Sequence, residues 1–583
     1  MNKRILAFLL AVCLSLSVVL CGCNLIPNPD GTCTVNFDGN YSGCEAYESV
    51  TVAYGSAIGK VEDPTREGFI FQGWYKDAKL TKAWDLEKDA VISNMTLFAK
   101  WKRDLTGLFE YPTDDKDFSS LTTAGTQEAA YEYKNFFLPA KDGSRQPYVG
   151  DPMPYYEDGV YYMYYLKDGG DSYNHSIYLA TTEDFITYKE YDNPVLESAR
   201  GSAQDNWIGT GSVVKVDNKY YLFYTGHNGS ATMEYKEKVM VAVSDNLTSF
   251  EKIAGWEITP PRTLGQKTDF RDPQAYYDPE TKTIEMTITA SQNNVARIIK
   301  YSVSADLKNV SYDGIIFTNP VGKFWNLECT DTFKIGDTWY VTYSAQDDTL
   351  WYAASENRYG PYDAPKRLEG KLFYAAKHVE DGENSYMVGW ARRSGSPSST
   401  QDVAAWAGNL VVQKIVQKEN GELILAPVEK VLEQFTKRRE LLFDDVDLFI
   451  QAGAQYRYSD AFTCYESFMI TGEFTYTKSG SFGLCFDYNG KAEKYKMISI
   501  SPSENKVQLF FNEGDTLIAE KDISLEKGKT YSFTYVQEGS VGVFYIDDMA
   551  ALTVRIYGAS GKPIKLFAEN NSVEFTSLEQ YTR

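Results

Sequence analysis

Five stretches of this chain can be laid over one another, and an internal repeat of that kind constrains the fold more than any other feature of the sequence. The first runs V-G-D-P-M-P-Y-Y-E-D-G-V-Y-Y-M-Y-Y-L, then S-I-Y-L-A-T-T-E-D-F. The second runs I-G-T-G-S-V-V-K-V-D-N-K-Y-Y-L-F-Y-T, then V-M-V-A-V-S-D-N-L. The third begins F-R-D-P-Q-A-Y-Y-D-P, the fourth N-L-E-C-T-D-T-F-K-I-G-D, and the fifth F-Y-A-A-K-H-V-E-D-G. Each holds a strand, a D-G, D-N or G-D turn, a second aromatic strand and a third alternating one. Such turns between alternating runs are hairpin signals. The units recur at roughly 50–60 residues, a fair length for a four-stranded blade. The expected architecture of 136–427 is a five-bladed β-propeller; a sandwich has no need of five equivalent units.

In a propeller the first strand of each blade lines a central channel, so the aligned position on those strands carries the chemistry. The units offer Asp151, Thr210 (beside Gly211 and Ser212), Asp272, Glu328 and Ala375 or Ala376. Asp-Pro is a common turn dipeptide, and one isolated D-P would be structural. Two of them with a Glu, in register across repeats, put three carboxyls around one axis. Like charges held close raise one another's pKa, which is unfavourable unless something uses it. Glycoside cleavage does: one carboxyl donates a proton to the leaving oxygen, another attacks or activates water, and a third grips hydroxyls. Their proximity predicts Glu328 protonated while Asp151 is ionised.

Bulk properties agree. The net charge of −22 argues against nucleic acid and anionic membrane surfaces as partners, and suits a neutral carbohydrate. Only three His are present, His175, His227 and His378, with no H-E-x-x-H and no paired Cys-x-x-Cys. Zinc or a Ser-His-Asp triad is therefore a poor expectation, and no metal or cofactor is called for. The 44 Tyr fit an all-β protein and also furnish sugar-stacking surfaces.

The flanks complete the organisation. Lys3 and Arg4 precede an apolar run that ends in Leu20-Cys21-Gly22-Cys23. Residues 1–23 read as a signal peptide and resemble a bacterial lipobox. That resemblance implies a lipid on Cys23 and a place on the outer face of the cell membrane. Residues 32–103 contain P-T-R-E-G-F-I-F-Q-G-W-Y and F-A-K-W, and resemble the Listeria–Bacteroides surface repeat, a small β-rich module implying cell-surface contacts. A connector at 428–442, V-E-K-V-L-E-Q-F-T-K-R-R-E-L-L, has apolar residues near helical spacing. Residues 443–583 return to short alternating strands and read as a C-terminal β-sandwich. Cys33 with Cys44, and Cys464 with Cys485, are candidate disulfide pairs in an oxidising compartment.

The residues also carry a family resemblance. R-D-P at Arg271-Asp272-Pro273, E-C at Glu328-Cys329, F-Y-A-A-K-H-V-E-D-G-E-N-S-Y-M-V-G-W and the W-A-G-N-L segment are similar to glycoside hydrolase family 32, which includes invertases, levanases and inulinases. The resemblance implies a retaining hydrolase releasing terminal fructosyl units from sucrose, fructo-oligosaccharides or fructans. Asp151 would be the nucleophile, Glu328 the acid/base and Asp272 the stabiliser of the transition state. Arg271, Thr210, Ser212, Trp207 and Trp390 would bind substrate. Departures are marked: the family's W-M-N-D-P-N-G is here Y-V-G-D-P-M-P, and its F-S-G-S is G-T-G-S. They leave room for an inverting arabinofuranosidase or xylosidase related to family 43, or for a surface protein that only binds glycan.

Overall fold

In this computed structural model, residues 31–103 and 132–583 are described, apart from short stretches within each range. The chain forms two compact units, 1–111 and 112–583. The signal segment and Cys23 lie outside the described residues.

The first unit is one five-stranded sheet in which Thr32–Asp38 pairs in parallel with Met95–Arg103 and antiparallel with Val50–Ala53. Alternation in T-C-T-V-N-F puts Cys33, Val35 and Phe37 on one face, where they pack with Trp74, Leu97 and Ala99. The Phe37 and Trp74 rings lie 4.7 Å apart.

In the second unit each repeat becomes an antiparallel sheet. Three are separate four-stranded sheets, and an eight-stranded sheet joins strands from the fifth and first repeats. That join is a single pairing, Gly408 with Val149. The first strands are Tyr148–Glu157, Trp207–Val216, Phe270–Asp278, Leu327–Ile335 and Phe373–Glu380. Each packs on the next, and the last packs on the first. The D-G turn at Asp158-Gly159 takes positive φ at both residues, 51° and 85°, as a two-residue type I′ hairpin requires.

All five first strands carry a register shift at matching places: between Gly150 and Met153, Gly209 and Gly211, Arg271 and Gln274, Glu328 and Asp331, and Tyr374 and Lys377. A bulge leaves its extra residues out of the ladder, which is how Pro152 and Pro273 sit in these strands without a backbone N–H to donate. The bulges also correct the register read from sequence. Level with Asp151 and Asp272 stands Cys329, and all three have positive φ (29°, 60° and 51°). Glu328 is one place earlier, level with Arg271.

Two sheets of seven and six strands follow, and their facing sides share a core including Ile470, Phe474, Leu484 and Phe544. Cys464 belongs to that core and Cys485 to a separate cluster with Met497 and Phe567. No disulfide joins them, so the candidate bridge between the two does not form. The sandwich docks on the repeats through buried polar groups. Arg555, fully buried, donates to the carbonyls of Arg392 (2.9 Å) and Ala391 (2.8 Å) and to Asn409 Oδ1 (2.9 Å). A buried guanidinium is tolerable only when its donors are satisfied. The connector is helical only over Glu429–Leu432. Phe435 is buried, and Lys437–Arg439 pairs with the last strand through Thr582 to Gln580. Tertiary pairing overrides the helical spacing there.

Candidate active site

The bulged ends of the first strands open into a cavity of about 390 Å³. Asp151, Asp272, Glu328, Arg271, Thr210 and Trp207 all line it, so six of the residues singled out in the sequence meet in one place. Ser212 and Trp390 are not among its lining residues. The Ser212 hydroxyl is buried below, donating to the Pro273 carbonyl (3.0 Å) and accepting from Ala275 N–H (2.9 Å). It clamps the second first strand to the third bulge. Trp390 is fully buried, and its indole N–H donates to Asp151 Oδ1 at 3.2 Å.

Each carboxyl is held by a different donor. Asp272 Oδ2 accepts from the Cys329 N–H at 2.8 Å, and its own N–H donates to Thr225 Oγ1 at 2.9 Å. Glu328 Oε2 accepts from the Tyr374 hydroxyl at 2.5 Å, while Oε1 lies 3.8 Å from Arg271. The side chain of Glu328 is about a third exposed (31%), so it stands toward the open side, whereas Asp272 is 3% exposed. Behind Tyr374 and Trp390 sits Arg392, over both rings at 4.5 and 5.5 Å and paired with Asp348 at 2.7 Å.

Burial and crowding set the protonation. Desolvation, helped by the nearby Glu328 charge, pushes Asp151 up to about 6. Burial raises Asp272 to about 7, against the pull of Arg271. Both deeply set aspartates are thus raised chiefly by their burial. Lys377, buried below, donates to the Gly211 carbonyl at 2.6 Å, and its charge favours the ionised form of Asp151.

Six lining residues lie off the first strands and were invisible to a reading confined to them: Leu166, His175, Thr225, His227, Glu237 and Trp406. Glu237 begins the third strand of its unit and accepts from Arg271 at 2.6 Å and from Phe270 N–H at 2.8 Å. Burial alone would raise it, but His227 and Arg271 outweigh burial and pull it down to about 2. This fixed anion holds the Arg271-Asp272 bulge in place. The opposite wall is aromatic: His175 stacks on Trp406 at 4.4 Å and meets Trp207 edge-on at 4.8 Å. Trp406 lies directly on the strand that bears Asp151. A β-carbon on Gly150 would sit 2.1 Å from its ring, so any larger residue there would have to displace the indole. This is the place where the sequence departs from the W-M-N-D-P motif.

Comparison with known proteins accords with this geometry. Residues 144–427 match the glycosyl hydrolases family 32 N-terminal domain, and residues 34–100 match the Listeria-Bacteroides repeat domain. The sucrose-6-phosphate hydrolase of Escherichia coli is 25% identical over 273 residues, covering 43% of this chain and 55% of that one. A Gly-rich protein of Evansella cellulosilytica is 31% identical over 153 residues, covering 24% of this chain and 18% of its own length. The chain therefore spans about half, or less, of the length of these relatives. Among solved structures, fructan 1-exohydrolase IIa of Cichorium intybus superposes with a TM-score of 0.62 at 16% identity, covering 78% of this chain and 97% of that one. The family 32 β-fructofuranosidase of Bombyx mori does so with a TM-score of 0.60 at 16% identity, covering 80% and 97%. The shared fold is a β-propeller followed by a β-sandwich. Residues 144–427 therefore form a domain of glycoside hydrolase family 32, with a Listeria-Bacteroides repeat ahead of them.

Proposed function

We propose that this protein is a retaining glycoside hydrolase that releases terminal fructosyl units from sucrose, fructo-oligosaccharides or fructans. The observation that carries the reading is the convergence of Asp151, Asp272, Glu328 and Arg271 on one cavity. Asp151, oriented by the Trp390 N–H, attacks C2 of the fructosyl ring. Glu328, on the open side, gives its proton to the departing oxygen, so the glycosidic bond breaks as the ester to Asp151 forms. Glu328 then takes a proton from water, which attacks the same carbon and returns Asp151 as a carboxylate. Asp272 and Arg271 hold the ring's hydroxyls and strengthen their grip as positive charge develops.

The cyclic packing of first strands supports a closed five-bladed propeller, with the fifth blade joined to the first through Gly408 and Val149. The substrate panel that tests the function comprises sucrose, inulin, levan, and arabinofuranosyl and xylosyl nitrophenyl glycosides. Protein lacking residues 1–23 is expected to release fructose from at least one of the first three, with retained configuration. Turnover of the nitrophenyl glycosides alone, or an inverted product, would replace this reading with the family 43-like one.

The L-C-G-C run supports a lipid anchor on Cys23 at the outer face of the membrane, with the repeat module as a surface spacer. The mature protein is expected to carry diacylglycerol on Cys23, and Cys23→Ser to be released or mislocalised. An unmodified Cys23 in the mass spectrum of membrane-extracted protein would refute the anchor.

A further inference from the structure

Among the described residues of 132–583, the large apolar side chains left exposed are Val310, Ile315 and Trp325. The first two lie on Val310–Thr318, the outermost strand of its sheet. Trp325 is different. It stands three residues before Glu328 and is 44% exposed, while Phe324, Asn326 and Leu327 around it are 5%, 0% and 0% exposed. Burying an indole is among the larger apolar gains open to a fold. Here the segment turns Phe324, Asn326 and Leu327 inward and leaves its largest side chain outside.

The ring's position is fixed by charge. The Arg271 guanidinium lies over it, 5.9 Å from the centroid, and the same guanidinium is 3.8 Å from Glu328 Oε1. Arg271 is itself held by Glu237 and Asp269, at 2.6 and 3.4 Å. Trp325 thus rides on a rigid support that touches the acid/base carboxyl. It does not line the cavity, so a ring seated against Asp151 is held by Trp207, His175 and Trp406 rather than by Trp325. The Arg271 guanidinium therefore lies near both the acid/base carboxyl and the exposed indole.

We infer that Trp325 is a stacking platform for the sugar ring of the leaving group. The inference rests on the fructosidase reading above and adds a residue that decides which leaving groups are favoured. The apolar C–H face of a pyranose or furanose packs on an indole as other apolar surfaces do, while its hydroxyls stay in water. A leaving group without a ring gains nothing there.

Initial rates of wild type, Trp325→Ala and Trp325→Phe on sucrose, 1-kestose and methyl β-D-fructofuranoside test this. For Trp325→Ala the KM for sucrose and 1-kestose is expected to rise about tenfold, the loss of one aromatic contact. Its kcat and its KM for the methyl fructoside should stay near wild type, and Trp325→Phe should recover most of the loss. An unchanged KM for both sugars, or an equal loss on all three substrates, overturns the platform; the second outcome means that the ring only props Arg271. A wild-type enzyme inactive on all three overturns the fructosidase reading, and the platform with it.

Discussion

Asp151→Ala is expected to lower kcat about 10⁴-fold or more with the fold intact, because it removes the only group assigned to attack the anomeric carbon. Two further readouts make the result specific to a nucleophile. Azide, small enough to enter the space the carboxylate vacates, should restore part of the activity and yield a fructosyl azide of inverted configuration. The wild type should also lose kcat/KM on the acid side as Asp151 takes up a proton. Burial and the Glu328 charge hold Asp151 near 6, so the acid limb belongs near pH 6 rather than near 4, the ordinary aspartate value of about 3.9. Near-normal activity of Asp151→Ala on the best substrate would end the assignment. A limb near 4 would place the limiting ionisation on another group.

Asp272→Asn should do two opposite things. Turnover should fall about 10³-fold, because a neutral amide cannot meet the positive charge of the transition state. Stability should rise. The folded pKa of Asp272, about 7, lies above its unfolded value of 3.8. Between those limits the folded state binds more protons than the unfolded one, so raising the pH through this window costs stability. Above it the full penalty stands, about 4 kcal/mol as an upper bound. Asn keeps an oxygen to accept from the Cys329 N–H and carries no charge to desolvate. Its melting temperature should exceed wild type by several degrees at pH 8, with the gap closing toward pH 4. A gap that does not change between pH 4 and pH 8 would show that the buried charge is not its origin.

The two elevated carboxyls also mark what a sequence can and cannot tell. The repeat, the D-G hairpins and the convergence of Asp151, Asp272 and Glu328 followed from strand periodicity and register, which are local properties. The level of Glu328 did not, because a bulge shifts the register without leaving a letter of its own. Cys329 takes the place that alignment gave to its neighbour. Glu237 and Trp406 escaped because they sit on third strands, and their distance from Asp151 and Asp272 is a matter of how blades pack. The connector misled for the opposite reason: its helical spacing is real, but Phe435 and the pairing of Lys437–Arg439 with the last strand are worth more than propensity.

The ring of Trp406 against Gly150 carries a consequence for descent. A relative with Asn before the nucleophile cannot acquire the indole first, since the two would occupy the same volume, and this chain cannot regain Asn first for the same reason. Trading one arrangement for the other demands an intermediate with a small residue at both positions, which leaves a void over the attacking carboxylate. Exchange of one arrangement for the other therefore takes coordinated change at residues 150 and 406. A library that varies residues 150 and 406 together is expected to recover pairs that single substitutions at either position do not.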